Sequence, residues 1–318
     1  MVALLSNYSK PINMEGHVPV LANETLELLA PRDGGVYMDG TFGGGGHTEL
    51  ILNAANCKVV AIDQDPQAER RAEEIGQRYG DRFEFRRMNF SELAQSEGET
   101  FDGFLFDFGV SSFQLDEVER GFSFRGEAPL DMRMNPEAGL SAANWIAQAS
   151  REDLIRAIRD FGEERNWRRI VDGITNTRDG SGIATTSELA NLVTSCTPAR
   201  IRFASKIHPA TKTFQGIRIA VNDELSVIET AIPAAFDRLK IGGTLCAISF
   251  HSLEDRIVKK LYRHWAGRPE GRNDNRPQDM REIQAELIGR RPTTAGDKEI
   301  SQNPRSRSAK LRALRKVK

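Results

Sequence analysis

The stretch GGVYMDGTFGGGGHTELIL, Gly34 to Leu52, decides the fold, together with KVVAIDQD, Lys58 to Asp65, which answers it. Four consecutive glycines, Gly43 to Gly46, separate a strand-like run (Val36, Tyr37, Met38) from a helix-like run (Leu50, Ile51, Leu52). A backbone without side chains turns tightly there and lets a ligand approach closely. The helix that follows turns its free N–H groups and positive dipole end toward the turn, which favours a carboxylate or a phosphate.

Working outward, the periodicity predicts a helix over His17 to Pro31, with Asn23 as N-cap and Pro31 as stop. Beyond the glycine turn come strand Lys58 to Asp63, a helix opened by Pro66 and running to Tyr79, strand Arg82 to Met88 and strand Phe101 to Phe108. Strands alternating with helices predict an α/β fold, a mostly parallel sheet covered on both faces. Ligands in such sheets bind at the carboxyl ends of the strands, where Gly43, Asp63, Asn89 and Asp107 emerge.

The next strand is GGTLCAISF, Gly242 to Phe250, preceded by a helix with apolar positions from Val221 to Leu239 at 3.6-residue spacing. More than a hundred residues thus separate two strands of one sheet, whereas a crossover needs only about a dozen. An inserted helical domain accounts for them, with helices over Ser141 to Ala149, Glu152 to Phe161, Glu163 to Ile174 and Thr186 to Cys196. The expected division is residues 1–125 and 215–318 for the sheet domain and 126–214 for the insert. Leu253 to Trp265 reads as a helix. Gly267 to Asn303, rich in Gly, Pro, Arg and Asn, reads as a long mobile surface segment.

At 318 residues, 39% hydrophobic and 28% charged, the composition is that of a soluble globular protein. No apolar run approaches the roughly 20 residues that span a bilayer, and the N-terminus lacks a secretory pattern. A cytoplasmic, unprocessed chain away from membranes is expected. Cys57, Cys196 and Cys246 stand far apart and in no CxxC pair, so buried free thiols are expected rather than a disulfide or thiolate zinc site. The net charge of −1 hides an asymmetry: Arg305 to Lys318 carry seven bases and no acid, leaving 37 bases against 45 acids before them. A basic tail on an acidic body suits either an anionic polymer or a solvated terminus.

A glycine turn with an acid ending the second strand suits a dinucleotide, Asp63 taking the ribose hydroxyls. The spacing from Asp39 to Gly43 and Gly45 instead resembles the [DE]xxxGxG signature of class I S-adenosylmethionine-dependent methyltransferases, a Rossmann-like fold. Support comes from FLFDFGVSSFQLD, Phe104 to Asp116, where an acid at a strand end precedes a glycine, two serines and a glutamine. A nicotinamide oxidoreductase and a non-catalytic RNA-binding scaffold remain the competing readings of these residues.

Longer motifs resemble the bacterial 16S ribosomal RNA cytosine-N4 methyltransferases (the RsmH or MraW family): DGTFGGGGH (Asp39 to His47), AIDQDP (Ala61 to Pro66), DFGVSSFQLD (Asp107 to Asp116), RGFSF (Arg120 to Phe124), PLDMRM (Pro129 to Met134), GEER (Gly162 to Arg165), IHPATKTFQGIRIAVNDEL (Ile207 to Leu225), ISFHSLEDRIVK (Ile248 to Lys259) and NPRSRSAKLR (Asn303 to Arg312). The resemblance implies S-adenosyl-L-methionine held by Gly45, Gly46 and His47, with Asp63 at the ribose, Phe90 beside the adenine, and Asp107 and Gln114 near the methionine end. It implies methylation of the N4 amine of one cytidine in the decoding region of small-subunit ribosomal RNA, as free RNA or as the 30S particle. Phe113 stands where the family usually has proline, and Phe108 where leucine is usual.

The exocyclic amine of cytosine has its lone pair delocalised into the ring. Acceptors aimed at its N–H bonds localise that pair, and in-line positioning supplies further acceleration. Asp107, or the carbonyls just after it, is the expected acceptor, with Ser111, Ser112 and Phe113 shaping the target pocket. Phe108 or Phe113 can stack on an extruded base or simply pack in a core. No histidine cluster has ligand spacing, this chemistry needs no metal, and no cysteine is placed for a C5-cytosine mechanism. The insert and the basic tail are the expected grips on RNA.

Overall fold

The computed structural model describes residues 19–95, 98–178, 180–204, 207–271 and 274–318. Its centre is a seven-stranded sheet: β1 (Val36–Asp39), β2 (Lys58–Asp63), β3 (Phe83–Arg87), β4 (Phe101–Asp107), β5 (Leu239–Ser249), β6 (Ala285–Thr293) and β7 (Lys310–Lys316), in the order β3-β2-β1-β4-β5-β7-β6. β1 to β5 are parallel, while β7 runs antiparallel between β5 and β6. The strand order reverses between β1 and β4, which opens a crevice at their carboxyl ends.

β4 shows why these residues make a central strand. Alternate side chains point to opposite faces, so Phe104, Phe106 and Phe108 share one, with successive rings 6.4 and 5.5 Å apart and nearly parallel. They pack under the helices Glu224–Arg238 and Ser252–Trp265, while Leu105 joins the core on the other face. Phe108 is 2% exposed and packs in this ring ladder, the core alternative of its two readings, while it also borders the cavity at the carboxyl ends of the strands. The Phe106 ring also dictates Gly40, where a Cβ would lie 2.2 Å from it.

A third apolar cluster, from Phe122 to Ile217, is built by the helices Ala142–Gln148, Trp167–Arg178, Thr186–Cys196 and Thr211–Asn222 together with the segment before them. The helix expected from Val221 to Leu239 is divided: Asp223 adopts a left-handed turn (φ 47°), Val221 belongs to the preceding helix, and Leu239 begins β5. The first helix spans Ala22–Leu29 with Leu21, not Asn23, at its N-cap. The Leu21 N–H donates to Glu299 at 2.8 Å, so a tertiary contact takes the place of a side-chain cap. His17, in that predicted helix, lies outside the described residues.

At the C-terminal end the expected mobile segment is structured, and of the two readings of the basic tail the solvated terminus does not hold over Lys310–Lys316. The segment Gly267 to Asn303 contains β6 and the helix Asp297–Gln302. The basic tail is β7, with Leu311, Ala313 and Leu314 buried. Most of its charges are engaged: Arg312 grips Asp255 at 2.7 Å, Arg305 reaches Asp116, Lys318 reaches Glu282, and Lys316 donates to the Phe236 carbonyl. Arg307 and Arg315 remain exposed. The cysteines are free, as expected, and among the described residues no helix is long and apolar enough to cross a membrane.

Candidate active site

A cavity of about 1060 Å³ opens at the carboxyl ends of β1, β2 and β4. The glycine loop forms one wall. Gly43 (φ 53°) and Gly45 (φ 79°) take left-handed conformations that favour glycine, and the Gly43 N–H donates to Asp63 at 2.7 Å. At Gly44 a Cβ would meet the Phe113 ring at 2.4 Å, and at Gly45 it would meet Ile75 at 2.3 Å. Gly45 therefore serves close packing beneath the loop, whereas Gly43, Gly44, Gly46 and His47 line the cavity. Gly46 begins the helix Gly46–Ala54.

The other expected residues divide by what their side chains already do. Asp63 accepts from the N–H groups of Gly43 and Asp65, which fixes its carboxylate on the cavity wall. Phe90 lines the cavity with its ring edge-on to Phe106. Ser111 caps the short helix Ser112–Asp116, and Gln114 completes that capping box. The Gln114 amide also donates to Asp65 at 2.9 Å, so both of its ends are spent within the protein. Ser112 and Phe113 line the cavity; the Phe113 ring lies over Gly44 and 4.4 Å beneath the Arg71 guanidinium, whose Nε donates to the Gly43 carbonyl. These contacts tie the DFGVSSFQLD turn to the glycine loop.

Sequence reasoning missed the hub that fastens them. Arg120 makes a buried ion pair with Asp65 at 2.8 Å and donates to the carbonyls of Arg133 and Met134. The partners lie 55 residues apart, and only the quoted motifs RGFSF and AIDQDP marked them. Missed too were Arg218 and Phe250 on the cavity wall and the acids Glu224 and Glu254 behind it. Glu224, His251 and Glu254 bring possible metal-ligand atoms within 4.8 Å of one another. Both Glu224 oxygens, however, accept from Arg218, and one Glu254 oxygen accepts from two backbone N–H groups. His251 Nε2 stands 3.1 Å from the other Glu254 oxygen. Neither of these last two atoms makes a hydrogen bond among the described residues, so this corner of the cluster has unmet polar capacity.

The two acids of β4 show what distinguishes the site. Asp102, at the amino end, is half-ringed by cations: burial opposes its charge, but Lys240 at 2.9 Å, the Val36 N–H and Arg32 bring its pKa down to about 2. Asp107, at the carboxyl end, has no such partners. Burial first, then the charges of Asp39 and Glu254, push its pKa well above the usual carboxylate range. Its Oδ1 is buried without a hydrogen bond, and so is Nε2 of His47, 3.7 Å from Oδ2. Burial holds the His47 pKa down to about 4, so its imidazole is neutral near pH 7. Buried polar groups without partners are costly, and here they face a cavity.

Asp39 couples the loop to this acid: it accepts from the Thr41 N–H and the Thr48 hydroxyl, while Thr41 Oγ1 accepts from the Asp107 N–H at 2.6 Å. Burial raises the Asp39 pKa from 3.8 to about 6. A carboxyl whose folded pKa is raised contributes stability below its unfolded pKa and loses it as pH rises through the folded value. The shift corresponds to about 3 kcal/mol, less about 1 for a weakened hydroxyl bond in the amide. Asp39→Asn should thus be about 2 kcal/mol more stable than wild type at pH 8, the difference vanishing near pH 4. Denaturant unfolding at both pH values checks this; an equal difference at the two would refute it.

The model of the MraW methylase family matches residues 14–317. The chain belongs to that family. It is 47% identical to the ribosomal RNA small subunit methyltransferase H of Trichlorobacter lovleyi, over 95% of this chain and 98% of that one. It is 45% identical to the methyltransferase of the same name from Gluconobacter oxydans, over 94% and 93% of the two chains. With that from Heliobacterium modesticaldum the identity is 43%, over 95% and 99%. The chain is thus a methyltransferase of class I architecture with S-adenosyl-L-methionine as cofactor. The residues present fit that cofactor: a loop whose Cβ positions are taken up by packing, and a polar wall with unmet hydrogen-bonding capacity.

Proposed function

We propose that the protein methylates the N4 amine of one cytidine in the decoding region of small-subunit ribosomal RNA. The carrying observation is Asp107, a buried acceptor without a partner, beside a glycine-walled cavity. When bound, S-adenosyl-L-methionine supplies an electrophilic methyl group on a sulfonium. Gly46 and His47 with the loop backbone hold its amino-acid end, Asp63 its ribose and Phe90 its adenine, while Gln114 acts by holding the turn that carries Ser111. The carboxylate of Glu254, and that of Asp39 above about pH 6, give this end of the cavity a negative character that suits a sulfonium.

Asp107 accepts from an N–H of the target amine and turns the nitrogen lone pair out of the ring plane. Its raised proton affinity also suits it to take the proton the amine releases. Ser112 and Phe113 border the entry of the base. Residues 1–125 and 215–318 form the methyltransferase domain and 126–214 the RNA-recognition insert, whose apolar cluster also takes in Phe122 and Ile217 from the flanking segments. The partner is the ribosomal RNA or 30S particle, and the setting is cytoplasmic. Mass spectrometry of small-subunit RNA from cells with and without the gene tests the reading: one N4-methylated cytidine should disappear. A modification lost at another atom or in another RNA would overturn it.

A further inference from the structure

Arg218 stands on the helix Thr211–Asn222 and lines the same cavity as Asp107 and Phe250. The left-handed turn at Asp223 folds the chain back so that Glu224, the first residue of the next helix, meets it. Arg218 donates through Nε and Nη2 to the two Glu224 oxygens, both at 2.8 Å, and the Glu224 carboxylate is buried. This side-on clasp fixes the guanidinium plane. Its remaining edge, formed by Nη1 and the second Nη2 hydrogen, has no protein partner among the described residues.

Such an edge is a rigid pair of parallel donors on a cation whose charge Glu224 already balances, with Glu254 adding further negative charge nearby. It suits a neutral ligand with two adjacent acceptors better than a phosphate. Cytosine presents that arrangement, O2 and N3, next to the N4 amine. Uracil replaces the N3 acceptor by an N–H, which would confront an arginine donor.

We propose that Arg218 reads the O2 and N3 edge of the target cytosine while Asp107 accepts from its N4 amine. Arg218 is then the specificity-determining residue that both selects cytosine and sets the amine toward the methyl donor. The assignment rests on the cytidine-N4 reading above.

The test uses the full-length protein and small-subunit particles carrying either cytidine or 3-deazacytidine, in which N3 is a C–H, at the target position. Arg218→Lys keeps a cation beside Glu224 but loses the fork. In wild type, the deaza base should lower kcat/KM about 10- to 100-fold, the range of one bidentate base contact. Arg218→Lys should lose a similar factor on cytidine, suffer little further loss on the deaza base, and keep its affinity for S-adenosyl-L-methionine within about 2-fold.

An equal deaza penalty in both proteins, or lost cofactor affinity in the variant, would overturn the assignment. So would a wild type indifferent to the deaza base, a result that needs no variant to fold. If wild type instead places the methyl on an atom other than N4, the reaction reading fails first, and mapping the product distinguishes that failure from this one.

Discussion

Asp107→Ala should lower methyl transfer by about 10³-fold or more at saturating cofactor, because it removes both an acceptor for the amine and a group suited to take its proton. The fold should survive, since this carboxyl has no hydrogen-bond partner on Oδ1 and burial disfavours its charge. Removing it relieves a cost. Asp107→Asn separates the two roles by keeping shape and one acceptor oxygen while losing the base. With the Asp107 pKa raised, the wild-type rate should climb with pH above the ordinary carboxylate range as the group ionises. The Asn variant should lack that limb. Single-turnover rates from pH 5 to 9 check both statements; near-normal activity in Asp107→Ala would remove Asp107 from the chemistry.

Deleting residues 310–318 should abolish cooperative folding rather than merely weaken RNA binding. β7 pairs with β5 on one side and β6 on the other, and its side chains enter both cores: Leu314 on one face, Leu311 and Ala313 on the other. Losing two buried leucines alone costs about 4–10 kcal/mol, against a total stability of about 5–15. Thermal unfolding followed by circular dichroism checks this. A truncated chain that melts cooperatively within a few degrees of wild type would be incompatible with the role given to β7. Contributions of the tail to RNA affinity are better sought by replacing Arg307 and Arg315, whose side chains are exposed.

Of the first five strands, β1, β2, β4 and β5 were legible as apolar runs beside a glycine turn or a helix, and β3 by the alternation of Phe83 and Phe85 with charged residues; the parallel order follows from the intervening helices. The glycine loop and the acids Asp63 and Asp107 were legible for the same reason, since a strand end is a local feature. β6 and β7 were not. In KLRALRK the buried Leu311, Ala313 and Leu314 are interleaved with bases whose stems lie along the sheet while their heads reach Asp255 and the Phe236 carbonyl. The sequence therefore reads as a solvated basic tail. Arg120 and Asp65, and Arg218 and Glu224, were invisible as pairs because their meeting depends on long-range folding or on a left-handed turn at a non-glycine residue, Asp223. Phe108 had two readings, and its packing in the ladder of rings along β4 depends on neighbours that the sequence does not name.

The position of β7 also sets an order of events during synthesis. β5 is complete about sixty residues before β7 begins, and β6 has no neighbour in the sheet except β7. A nascent chain that has delivered β1 to β6 therefore presents β5 with a bare hydrogen-bonding edge and leaves β6 unanchored, the kind of open edge that invites pairing with other chains. The strand bearing the Ile248 partner of Asp107 is held on one side only until residues beyond Lys310 arrive. Closure of the sheet thus waits for residues 310–316, and a chain interrupted before them carries an exposed edge.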